Sequence, residues 1–148
     1  MSEDGRTVHA TAVVIGEEGI LIRGAAGSGK STLARELIRW AAESGRHGAL
    51  VSDDRVALDR HHGRIVARAV PAITGLLEIR GVGIVRVPSQ CASLVRLVVD
   101  LDEEAPRLPE DQSRIATLNG VELPLVVVKR ALALGVVVWR IGHRVTVS

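Results

Sequence analysis

Two clusters in this chain hold residue types that could do chemistry. The first is Gly24-Ala25-Ala26-Gly27-Ser28-Gly29-Lys30-Ser31, followed by Thr32. It fits G-x-x-x-x-G-K-[ST], a loop whose glycines let backbone N–H groups turn inward around phosphate oxygens. An apolar run at 19–22 leads into it as a strand, and a helix-forming run at 32–40 follows it. The partial positive charge at the helix start favours an anion there. In such a loop Lys30 reaches the β- and γ-phosphates of a nucleotide and the Ser31 hydroxyl ligates Mg²⁺, so ATP with Mg²⁺ is the expected ligand pair. The second cluster is Asp53-Asp54-Arg55, which ends the short apolar strand at 49–52. Phosphoryl transfer needs a base near an acceptor hydroxyl and carboxylates near the metal. Ligands of α/β sheets sit at the carboxyl ends of strands, where this pair lies. Asp100 and Asp102 also follow an apolar strand and compete for the same role.

The elements that must position these residues follow from local patterning. Residues 8–15 read as a strand, 16–19 as a turn and 20–23 as a second strand, so the chain opens with a hairpin. A helix runs from 31 to about 44 and stops at Gly45. Residues 56–58 and 64–70 read as a hairpin around His61-His62-Gly63, which have no acidic or Cys partners at metal-ligand spacing. A helical turn is expected at 75–79, strands at 83–87 and 94–101, and a loop or lid at 102–111. The apolar stretch 122–128 is interrupted by Pro124. A short helix at 129–134 and a final strand at 136–141 complete the reading.

Bulk composition narrows the classes. A chain of 148 residues suits one domain, and an apolar share of 47% with no Phe or Tyr calls for a core of Val, Ile, Leu and Ala, as in a sheet buried on both faces. A net charge of +2 with interleaved signs and almost no aromatic residues offers neither a basic footprint nor stacking platforms for nucleic acid. No apolar run reaches the roughly 18 residues of a membrane helix, and residues 1–6 are too polar for a signal peptide. Cys91, alone in the chain, reads as a small buried hydrophobe, and a cytoplasmic setting is expected.

Together these motifs resemble one family. His9, the loop Gly24–Ser31, Asp53-Asp54-Arg55, the segment Leu76-Leu77-Glu78-Ile79-Arg80-Gly81-Val82-Gly83-Ile84 and an isolated Arg107 occur in the order found in bacterial HPr kinase/phosphorylase. The Leu-Leu-Glu-Ile-Arg-Gly run after Asp-Asp-Arg is its most diagnostic part. The likeness covers roughly residues 7–110 and matches the catalytic domain alone, as in the short alphaproteobacterial form without the N-terminal domain. It implies an α/β fold, a P-loop kinase-like domain of the phosphoenolpyruvate carboxykinase type, with a mixed, largely buried sheet flanked by helices.

It also implies an enzyme that phosphorylates a serine of HPr, the phosphocarrier of the phosphotransferase system, with reversal by inorganic phosphate in many members. HPr is the implied partner, and a homo-oligomer, hexameric in the family, the implied assembly. Carried over by position, Asp54 resembles the acid/base, with Asp53 beside it and His9 supporting it. Lys30 would stabilise transferring charge, Ser31 and Glu78 resemble the Mg²⁺ ligands, and Arg107 resembles a catalytic arginine. Arg80 carries no assigned contact. The chain departs from the family at 88–93, where a Gly-rich stretch is usual. It departs again at 123–130, which lacks the Pro-Gly-Arg-Asn loop linked to dephosphorylation, and the family's C-terminal helix is expected to be missing or shortened. Two other classes also fit a P-loop with this Asp pair: a small-molecule kinase, and a nucleotide-binding regulatory module without transfer.

Overall fold

The computed structural model describes residues 6–70, 75–106 and 114–142. Its strands are β1 (Thr7–Val8), β2 (Thr11–Ile15), β3 (Glu18–Gly24), β4 (Gly48–Ser52), β5 (Val56–His61), β6 (Arg64–Ala69), β7 (Leu76–Ile79), β8 (Gly83–Arg86), β9 (Ala92–Leu101), β10 (Ile115–Leu118) and β11 (Val121–Val128). The helices are α1 (Lys30–Glu43) and α2 (Arg130–Gly142). One curled sheet runs β1-β5-β6-β9-β3-β2-β4, with β11 also paired to β9 and β10 to β11, while β7 and β8 form a separate hairpin. This is the mixed α/β architecture expected from the resemblance.

Period-two patterning divides the core between the two faces of the sheet. On β2 and β3, Val13, Ile15, Ile20 and Ile22 pack toward the helices with Leu33, Leu37 and Val137. Their neighbours Ala12, Val14 and Leu21 face the other way, against Leu58 and Ile65 of the β5–β6 hairpin. Both faces are therefore covered, as an aliphatic core without Phe or Tyr requires. The β5–β6 turn is His62-Gly63, with φ of +52° and +74°, a pair that matches the twist of the flanking strands. Helix α1 closes with the Arg46 N–H bonded to the Ala41 carbonyl at 2.8 Å and the Gly45 N–H to that of Ala42 at 3.2 Å.

Several expectations are corrected. The strand expected at 8–15 is two strands, because β1 pairs with β5 whereas β2 pairs with β3 and β4. His9 sits in the bend between them rather than on a strand. The expected helical turn at 75–79 is strand β7, with Leu77 and Ile79 buried and Glu78 exposed in strict alternation. The expected short helix and final strand at the C-terminal side are one helix, α2. Val136-Val137-Val138 favours a strand locally, but Ala133 and Val137, four apart, are buried in the core shared with α1, and packing overrides propensity. Pro124 lies inside β11, at the point where the strand leaves β10 and joins β9. A residue without an N–H is tolerated at that change of partner. Cys91 is exposed, not buried. Among the described residues no helix is long and apolar enough to cross a membrane.

Among the described glycines, Gly19 marks the tightest approach to neighbouring backbone. A Cβ there would lie 2.0 Å from the Leu94 carbonyl oxygen, at the register shift between β3 and β9. Gly135, in mid α2, has nothing within 4 Å of the equivalent position. Opposite outcomes are expected in chemical denaturation: Gly19→Ala lowers stability by about 1–3 kcal/mol or more through overpacking, and Gly135→Ala raises it by about 0.5–1 kcal/mol through helix propensity.

Candidate active site

Four strands point the same way and end at one edge of the sheet. β9 is parallel to β3 and to β11, and β4 is parallel to β3 because each is antiparallel to the β2 between them. The register sets Gly24 beside Leu101, and Leu101 beside Val128. The chain thus leaves β3 into the phosphate loop, β4 into Asp53-Asp54, β9 into the 102–106 turn and β11 into α2, all at one edge. β2 runs the other way and delivers its amino end, His9 and Thr11, to that same edge.

The loop closes with Gly29 at φ +97°, a conformation that glycine adopts without strain. Helix α1 has no side-chain cap and no acidic residue in its first turn, so its first N–H groups face the loop without a side-chain acceptor. Lys30 is buried and donates from Nζ to the Gly24 and Ala25 carbonyls at 2.9 and 3.1 Å. Its ammonium is held inside the loop by groups that bind it without neutralising it.

Asp53 and Asp54 divide their contacts. Asp53 Oδ1 accepts from the Ser31 hydroxyl at 2.8 Å and from the Thr11 hydroxyl at 2.8 Å. This carboxylate therefore ties the start of α1 to β2. Asp54 adopts a left-handed φ of +70°, which Asp tolerates better than most residues. Its Oδ1 accepts from His9 Nε2 at 2.7 Å. The side chains of His9 and Asp54 are 55% and 72% exposed, so Asp54 faces solvent, whereas Asp53 is half-buried.

A cleft of about 780 Å³ joins these groups. Its lining includes His9, Ala26, Gly27, Gly29, Lys30, Ser31, Thr32, Asp53, Asp54 and Glu78. Residues far apart in the chain, from His9 to Gly83, thus meet in one cavity. Arg107 lies outside the described residues. Asp100 does not enter the cleft: Arg23 takes it in a two-pronged pair at 2.7 and 2.9 Å. That pairing raises the Arg23 pKa, chiefly through the hydrogen bond to Asp100. Asp102 Oδ1 accepts from the Glu104 N–H at 2.9 Å and caps its own turn. Neither acidic competitor is available at the loop.

The structure adds residues that the sequence reading left without a role. Thr11 follows His9 by two positions, a spacing that could have pointed to it. Arg80 lines the cleft from the β7–β8 turn, and its guanidinium lies 3.7 Å from where a Cβ on Gly27 would sit. The donor set at the cleft, the Ser31 hydroxyl with the Asp53 and Glu78 carboxylates, is all hard oxygen. That is the chemistry Mg²⁺ takes when it also binds phosphates and water. Among the described residues there is no cluster of three or more His, Cys, Asp or Glu able to hold a metal by protein ligands alone.

The model of the HPr Serine kinase C-terminal domain matches residues 2–129. An HPr kinase/phosphorylase of Mycoplasma mycoides is 33% identical over 129 residues, covering 78% of this chain and 39% of the relative. One from Limosilactobacillus reuteri is 32% identical over 133 residues, covering 82% of this chain and 40% of the relative. The chain thus spans about two fifths of the length of these relatives. The solved structure of the Hpr(Ser) kinase/phosphatase from Coxiella burnetii superposes with a TM-score of 0.76 at 28% identity, covering 94% of this chain and 90% of that one. With most of its length inside the family model and its fold shared with a solved member, this chain belongs to the HPr serine kinase C-terminal domain family.

Proposed function

We propose that this protein transfers the γ-phosphoryl group of ATP to a serine hydroxyl of HPr. The observation that carries the reading is the division of labour between adjacent carboxylates: Asp53 is bonded to the P-loop Ser31, while Asp54, bonded to His9, faces the open cleft. Kinase chemistry needs both groups, one at the phosphates and one at the acceptor. The names of the relatives, HPr kinase/phosphorylase and Hpr(Ser) kinase/phosphatase, supply the acceptor class.

In this mechanism the loop amides and the α1 terminus hold the phosphates, and the incoming serine hydroxyl approaches in line with the bond that breaks. Asp54 accepts the hydroxyl proton as the oxygen–phosphorus bond forms, and His9 fixes the carboxylate's orientation. Lys30 and Arg80, both at the cleft, would offset the charge that builds on the transferring group and its leaving oxygens. Ser31, Asp53 and Glu78 would hold Mg²⁺, directly or through water, and the ion when bound neutralises phosphate charge. The same Asp54, carrying the proton, would serve the reverse direction, in which inorganic phosphate attacks phosphoserine and the serine oxygen leaves as a hydroxyl.

Incubation with ATP, Mg²⁺ and HPr should add one phosphate to a serine, read by intact mass. Absence of any gain from folded, ATP-binding protein would move the reading to a different acceptor or a regulatory module. Asp54→Asn should lower the transfer rate by about 10²–10⁴-fold with ATP affinity nearly unchanged, measured by parallel rate and calorimetry. Near-wild-type transfer in that variant would assign the proton to another group. Lys30→Ala should weaken ATP binding and transfer together, because its ammonium serves the ground state as well as the transition state.

A further inference from the structure

The triphosphate has two ends, and the residues above occupy one of them. Asp53, Asp54 and His9 lie on the β2–β4 side of the phosphate loop. If the transferring phosphoryl sits there, an extended nucleotide must leave the loop toward the other flank, where β9 and β11 end. On that flank Arg130, the first residue of α2, packs against the loop.

Arg130 lies directly on the phosphate loop. A Cβ on Gly29 would meet its Nε at 2.7 Å and its Cδ at 2.8 Å, so the aliphatic stem runs flush against the loop's last glycine. Its Nη2 donates to Glu36 Oε1 at 2.9 Å. Glu36 is four residues beyond Thr32 on α1, hence on the same helix face; Thr32 and Gly29 line the cleft, and Arg130 and Glu36 lie just beyond its lining. The Arg130 backbone N–H donates to Glu103 Oε2 at 2.9 Å, which fixes the start of α2 to the turn after β9. The side chain is 24% exposed, positioned by packing but open to solvent. A guanidinium offers five N–H donors, and the described contact to Glu36 uses one.

We propose that Arg130 is a nucleotide-binding residue that contacts the nucleoside end of ATP, at the α-phosphate and ribose, with Glu36 as its orienting partner. The proposal rests on the nucleotide site described above and concerns the end of the ligand remote from transfer. A guanidinium fits phosphate oxygens and ribose hydroxyls through paired donors, which an ammonium cannot reproduce. If Arg130 were only a clasp between α1 and α2, its loss would affect every ligand of the loop equally.

Calorimetry with ATP, ADP and inorganic pyrophosphate, each with Mg²⁺, separates these cases. Arg130→Met keeps the stem on Gly29 and removes the charge. It should weaken ATP and ADP by about tenfold, the loss of one charge-assisted contact, and leave pyrophosphate within about twofold. Arg130→Lys, which restores charge without the fork, should recover part of the loss. Equal weakening of all three ligands, or wild-type ATP affinity in either variant, would overturn the proposal. Failure of the wild-type protein to bind ATP would instead overturn the nucleotide reading on which it stands, so the two failures are told apart by the wild-type titration.

Discussion

Strand β3 is bonded on both sides, antiparallel to β2 and parallel to β9, and the positions of all the groups at the cleft are measured from it. A slip of one residue on either side would turn its buried Ile20 and Ile22 to the wrong face and exchange the two halves of the core. It would also move Gly24 off the level of Leu101 and carry the phosphate loop away from the groups beside it. Gly19 pins the register, since only a residue without a Cβ fits against the Leu94 carbonyl where the pairing shifts. The chemistry at the edge therefore depends on apolar packing and backbone spacing in the middle of the sheet, far from any charged group.

Given that register, the polar groups at the edge are arranged by saturation. A carboxylate already held by a guanidinium has little left to offer a hydroxyl or a metal. Arg23 takes Asp100 in this way, through two short hydrogen bonds that raise the Arg23 pKa. Asp53 is held more lightly, by two neutral hydroxyls. Ser31 can then exchange Asp53 for another partner without leaving a buried charge unpaired. The uncapped start of α1 follows the same pattern: its N–H groups are kept from side-chain acceptors within the fold and so remain usable by a phosphate.

The phosphate loop, the helix after it and the Asp53-Asp54 pair were legible because each depends on local chemistry: glycine spacing, a lysine at the helix start, carboxylates closing a strand. Pairing partners were not legible. Residues 8–15 look like one strand, and only the assembled sheet shows the chain leaving β5 for β3 and β4, with His9 freed at the break to reach Asp54. The β7 segment, Leu76–Ile79, passes for a helical turn until its hairpin partner β8 is known. Val136-Val137-Val138 reads as a strand by propensity, and α2 forms there because the core beside α1 takes Ala133 and Val137. Arg80 stands in a diagnostic run without an assigned contact, and Arg130 is one arginine among many, with no local pattern to say that it lies on a glycine of the loop.

The two flanks of the loop are built from different parts of the chain, and this bears on where the sequence departs from its family. The β2–β4 flank, with His9, Asp53 and Asp54, keeps the family's motifs. The β9–β11 flank holds one departure, at 123–130, where the Pro-Gly-Arg-Asn run is replaced. There β11 ends level with Gly24, and the 13-residue helix α2 starts at Arg130 with its side chain on Gly29. A cation therefore stands against the loop at that place although the run that delivers it differs from the family's. In the proposed reaction the β2–β4 flank handles the acceptor and its proton, which tolerate little change in geometry. The altered flank handles the end of the nucleotide where no bond is made or broken, and a contact there can move without misaligning the reacting atoms.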